Sequence, residues 1–244
     1  MMRANAWSSL AAIAAPLAVG ATIAVGSGWL PGFAVPIAIG AVVVLAVIRS
    51  GEPAGATSAP VHSAAVVPPL RTWWREWSVL ALCIVVEFCF VYFAATFLHD
   101  ERGLTTAAAA RGAAAWGIGM AVGRFAVSAW SLRLGVLSSA GMIAVGFVLF
   151  WAVPSPVVSI AGIGAAGFGA SPLYPSRMTA LLERFPRSLD QGSTRGSIAS
   201  GAALLGAPAL MVALRRASDV RLAYLAVPVL LLVLVVLARP RRGG

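Results

Sequence analysis

Apolar residues fall in runs along this chain, separated by short polar breaks. The runs cover residues 7–26, 33–48, 78–98, 107–129, 136–153, 157–182, 195–214 and 222–238. A helix of about 20 mostly apolar residues crosses a bilayer. The pattern therefore predicts an all-α, polytopic transmembrane bundle of about eight spanning helices. The breaks carry turn chemistry. Gly28-Trp29-Leu30-Pro31-Gly32 reads as a tight turn with its indole at the interface, and Pro154-Ser155-Pro156 as a helix stop. Thr105 or Thr106 stands where it can cap the helix that follows the 99–103 loop. The first run follows Arg3 and is rich in small residues, but it exceeds the roughly 7–15-residue core of a signal peptide, and a second run follows at once.

One connection is long. Residues 49–77 hold Pro53, Pro60, Pro68 and Pro69 among charged and small polar residues without apolar periodicity, which reads as a linker. Trp73, Trp74 and Trp77 at its end mark a helix entering the interface. The expected organisation is two helices in residues 1–48, a cytoplasmic linker in 49–77, six helices in 78–238 and a basic tail in 239–244.

Composition agrees: 60% of residues are hydrophobic and only 11% charged, and the mean hydropathy is +0.91. All basic residues are arginine, which with the abundant Ala, Gly and Pro points to a GC-rich bacterial genome. A net charge of +10 would favour nucleic acid only as a stripe on one folded face. Here the arginines lie mostly in short loops, with Arg111, Arg124, Arg177 and Arg195 in or at the ends of helices, and none of the patterning fits a nucleic-acid partner. Ten arginines (Arg3, the linker, Arg133, Arg184, Arg187 and the tail) fall on one side of the alternating spans, and four (Arg102, Arg215, Arg216 and Arg221) on the other. By the positive-inside rule the first side is cytoplasmic, as are both termini. The expected location is the plasma membrane of a bacterium.

The 78–98 run carries one carboxylate, Glu87, near its midpoint. A charge there costs roughly 2.5–3.5 kcal/mol on the insertion scale. The run's Leu, Ile, Val and Phe residues outweigh it at about −0.3 to −0.6 kcal/mol each. Ionisable residues inside a membrane mark pathways, so Glu87 is the leading candidate for taking and releasing a proton or binding a polar solute. The alternative is a structural acid paired to Arg111 or Tyr174. Tyr92, Trp116, Arg111 and Tyr174 are the other pathway candidates.

Three further constellations stand out. Gly119-x-x-x-Gly123 allows close helix approach, and Arg124 follows as a gating or ion-pair candidate. Residues 162–167 fit Gly-x-Gly-x-x-Gly, but inside an apolar run they read as helix packing rather than a nucleotide turn. Pro172 and Pro175, with Arg177 just beyond, would interrupt a helix, and interrupted helices mark sites and moving elements in transporters. No nucleophile–base pair or paired carboxylates appear, so no enzyme chemistry is expected. His62 and His99 stand apart, and no metal or cofactor is expected. Cys83 and Cys89 are about 9 Å apart along one helix, too far to bridge.

These residues, in this order, resemble the major facilitator superfamily of twelve-helix secondary transporters, aligned to its last eight helices. Gly123, Arg124, Arg133 and Gly135 match the loop motif between the second and third helices of the second half. Ser128 stands where that motif has Gly, and Leu132 where it has the Asp that helps latch the cytoplasmic gate. The Pro172–Pro175 segment is similar to the fourth helix of that half. The resemblance implies alternating-access transport of a small solute, and Glu87 is the candidate for coupling it to protons. It also leaves four helices unmatched. The alternative is a non-transporting remnant, or one part of a split transporter whose partner chain supplies the missing helices.

Overall fold

The computed structural model describes residues 14, 16–50, 68–129, 135–186 and 188–239. Among them every regular element is helical: α1 (16–24), α2 (Ala34–Ser50), α3 (Leu70–Asp100), α4 (Thr106–Ala113), α5 (Ala115–Ala129), α6 (Val136–Ala152), α7 (Pro156–Ala170), α8 (Leu173–Leu182), α9 (Leu189–Ala217), α10 (Val220–Ala223) and α11 (Ala226–Ala238). A 3-10 turn at Leu30–Phe33 precedes α2. Arg133, the linker residues 51–67 and the tail beyond Arg239 lie outside the described residues.

Four helical segments are long and apolar enough to cross a bilayer: Leu70–Asp100, Pro156–Leu182, Leu189–Ala217 and Val220–Ala238. The protein is a multi-pass membrane protein. α3 is the longest helix, 31 residues or about 46 Å at 1.5 Å per residue, so it overshoots an apolar layer of about 30 Å. The excess is about three turns, and the first three turns carry Trp73, Trp74 and Trp77.

The sequence states where most helices stop. Pro156 opens α7 at a position where its missing N–H costs nothing. Thr105, rather than Thr106, caps α4 by accepting from the Ala108 N–H at 3.2 Å. Gly103 takes a left-handed φ of +66° in the loop before it. Asp219 caps α10, accepting from the Leu222 N–H at 2.7 Å. The 107–129 run is not one continuous helix; it breaks at Ala114 into α4 and α5.

α3 is the hub. It packs against α4, α8, α9 and α11, while α7 lies between α5 and α6. A ring of aromatics fills the centre. Phe97 and Phe150 approach to 4.2 Å between centroids, and Tyr224 stands edge-on to Phe150 at 4.9 Å. The Tyr224 hydroxyl donates to the Cys89 carbonyl at 3.1 Å, which gives the buried phenol its polar partner. Both thiols, Cys83 and Cys89, are free and buried.

The α7 interfaces are made by missing side chains. A Cβ on Gly119 would collide with the Gly164 carbonyl, and one on Gly167 with the Trp116 carbonyl. On the other face, a Cβ on Gly146 would lie 2.6 Å from the Gly162 carbonyl. The glycines of the Gly-x-Gly-x-x-Gly segment therefore seat α5 and α6 against α7 at backbone distance, the close approach that small residues permit between membrane helices.

Polar contacts pin both ends of the bundle. At one end the Glu76 carboxylate accepts from Arg184 at 2.8 Å, and the Trp77 indole donates to the Arg195 carbonyl at 3.0 Å. The Arg195 guanidinium lies over the Trp73 and Phe185 rings at 4.9 and 5.1 Å. At the other end Asp100 pairs with Arg215 at 3.2 Å, and the Trp151 indole donates to the Arg221 carbonyl at 2.8 Å.

Candidate functional site

Glu87 sits at the middle of α3, partly buried. The cation whose charge acts on it is Arg124 of α5. Cys83, one turn before Glu87, feels Glu87 and also Arg177 of α8. Charges from α5 and α8 thus act on α3 from elements distant in sequence, Arg124 on Glu87 near its middle and Arg177 on Cys83 one turn nearer the end that carries the tryptophans. The sequence offers Arg111 or Tyr174 as the partner of a structural Glu87, whereas the cation that acts on Glu87 in the structure is Arg124.

The surrounding packing explains why α5 delivers Arg124 to this depth. Gly119 and Gly123 lie against α7; a Cβ on Gly123 would meet the Ser171 hydroxyl and, at 2.8 Å, the Phe168 carbonyl. One turn further toward the other end, Trp116 stacks on Phe90 with centroids 4.7 Å apart and planes 16° from parallel. These contacts fix both the rotation and the depth of α5 against α3.

The helix that faces this region is interrupted. α7 ends at Ala170 and α8 begins at Leu173. Ser171 and Pro172 keep right-handed dihedral angles of −53°, −39° and −88°, −11°, so the segment continues without an intact ladder. Pro172 removes a backbone donor, and Pro175 lies in the first turn of α8, where a proline is tolerated. Three polar atoms here are buried without a hydrogen-bond partner among the described residues: Trp116 Nε1, Ser171 Oγ and Arg177 Nε. Buried donors of this kind are costly to leave unmet and mark places that water or a polar ligand satisfies.

The other candidates fall elsewhere. Arg111 is exposed on α4, where its Nε donates to the Ala107 carbonyl at 3.3 Å and its Cγ lies against Gly20 of α1. Its neighbour Gly112 faces Leu98 of α3, which puts Arg111 about 16 Å along the helix from Glu87. Tyr92 is 44% exposed and stacks on Phe88 at 5.2 Å. Tyr174 packs on the apolar cluster of Leu80, Ile84, Leu181 and Phe185 between α3, α8 and α9. Gly135 is the residue before α6. Of the pathway candidates, Trp116 shares α5 with Arg124 and touches α3 at Phe90, and Glu87 feels the Arg124 charge.

Comparisons with known protein families, with curated proteins and with solved structures find no match to this chain.

Proposed function

We propose that this chain is a secondary active transporter of a small solute, of the major facilitator type, working by alternating access. In this reading about eight helices span the plasma membrane of a bacterium, with both termini and the linker cytoplasmic. Glu87 is the coupling acid, which binds and releases a proton as the bundle changes state.

One observation carries the reading: a half-buried carboxylate at the centre of α3 lies within the field of a guanidinium on α5. A charge pair in this medium is expensive to maintain. Two apolar residues would pack there at less cost if stability were the only demand. The interrupted α7–α8 segment beside it supports the same reading, because broken helices in transporters supply the elements that move.

The test is transport by the purified chain in proteoliposomes under an imposed proton gradient. The expected result is gradient-driven accumulation that Glu87→Gln abolishes while leaving solute exchange intact. Accumulation by the variant equal to that of the parent removes Glu87 from coupling.

A second reading, one part of a split transporter, is favoured by the position of α2. Among the described residues it packs on the 3-10 turn that leads into it, and Ile37, Val42, Leu45 and Ile48 are largely exposed. Under this reading the chain alone gives no flux in proteoliposomes, and co-reconstitution with a second membrane chain restores it.

A further inference from the structure

A pocket of about 320 Å³ opens at the end of the bundle where α6 begins and α11 finishes, lined by Gly135, Val136, Leu137, Arg177, Val235, Ala238 and Arg239. Its chemistry is one-sided. Two arginines line it and no carboxylate does, and neither arginine enters an ion pair among the described residues. The Arg177 Nε is inaccessible and has no hydrogen-bond partner there. A guanidinium that lines a pocket without a carboxylate sets up a demand for an anionic guest.

The backbone around the pocket adds to the demand. α6 starts at Val136 without a side-chain cap. Its first intrahelical acceptor, the Gly135 carbonyl, serves the Ser139 N–H at 3.0 Å, so the N–H groups of Val136 and Leu137 have no intrahelical partner. They carry the positive end of a 17-residue helix. The opposing dipole end is muted: Arg75 donates to the Leu237 and Arg239 carbonyls at the close of α11. A Cβ on Gly135 would meet nothing within 4 Å, so helix packing does not account for that glycine, and its lack of a side chain leaves the mouth clear. Arg75 also ties this end of α11 to the Trp-bearing first turns of α3, which places the pocket at headgroup depth.

We propose that this pocket binds a phosphate-class oxyanion, either the headgroup of an anionic phospholipid in the facing leaflet or free phosphate. Arg177 and Arg239 supply charge-assisted donors of the kind that recognise phosphate oxygens, and the α6 N-terminus completes the cradle. The site does not depend on the transport reading.

The test is native mass spectrometry of the full chain in detergent, titrated separately with phosphatidylglycerol, phosphatidylcholine and inorganic phosphate. The expected result is one phosphatidylglycerol bound at least tenfold more tightly than phosphatidylcholine. Arg177→Gln and Arg239→Gln should each weaken it at least fivefold, while Arg71→Gln, which removes an exposed arginine outside the pocket, leaves it unchanged. Inorganic phosphate that binds and competes with the lipid identifies the free anion as a ligand, and phosphate that does neither identifies the headgroup. If Arg177→Gln does not fold, Arg239→Gln, at an exposed residue, decides alone. The proposal is overturned if neither anion binds in preference to phosphatidylcholine. It is equally overturned if the pocket variants bind like the parent, or if Arg71→Gln weakens binding as much as they do.

Discussion

Arg102 donates its Nε–H to the Ser159 hydroxyl at 2.7 Å and thereby ties the loop after α3 to the first turns of α7. The same guanidinium donates to the Phe150 and Trp151 carbonyls at 2.8 and 2.9 Å and lies over the Phe97 ring at 4.8 Å. It therefore caps the C-terminal end of α6, where unpaired carbonyls and the negative pole of the helix favour a cation. Partial burial and the neighbouring Arg221 charge hold Arg102 below the ordinary guanidinium range, with Glu101 opposing them. It remains charged at neutral pH.

Arg102→Ala should therefore destabilise the fold by about 2 kcal/mol, the scale of losing charge-assisted hydrogen bonds to partly buried acceptors. Ser159→Ala should cost less, about 1 kcal/mol. The Ser159 hydroxyl also donates to the Phe150 carbonyl at 3.0 Å, so the two residues share an acceptor and their effects should not add. Thermal unfolding of the singles and the double variant in detergent measures this. Additive losses would show that the residues act independently.

The glycines divide into two classes that behave oppositely. Gly119→Ala and Gly167→Ala force a methyl into the backbone of the neighbouring helix, and the helices must separate. A loss of about 1–3 kcal/mol is expected, the usual cost of overpacking. Gly141, Gly201 and Gly206 are helical, and a methyl added at any of them would meet nothing within 4 Å. Alanine there should be neutral or stabilising by up to about 1 kcal/mol through helix propensity. A melting temperature raised by Gly119→Ala would mean that α5 and α7 are not seated at backbone distance.

Much of this was legible in the sequence because a bilayer demands long apolar runs and the polar breaks must hold turn chemistry. The all-helical character of the described residues, a threonine cap at 105 or 106 and the interruption at Pro172 follow from residues that act locally. The break at Ala114 was not legible. The surrounding alanines favour an uninterrupted helix, and the turn shows itself only once Gly112 is packed against Leu98 and Ile160. Nor was the partner of Glu87. Arg124 lies 37 positions further along the chain, on a helix whose seat against α7 is set by Gly119 and Gly123. The pocket at Arg177 and Arg239 joins α6, α8 and α11 and has no local signature.

Glu87 and Arg124 offer the sharpest energetic test. Neutralising one of two opposite charges that act on each other inside the bundle leaves the other uncompensated, at a cost of up to about 3–5 kcal/mol. Glu87→Gln and Arg124→Gln should each lower stability on that scale, somewhat less where water reaches the partly buried carboxylate. The double variant leaves two neutral polar groups of similar shape, so it should be more stable than either single. Urea or thermal unfolding of all four proteins in one detergent gives the coupling directly. A double variant whose loss equals the sum of the singles would show that the two charges do not act on each other.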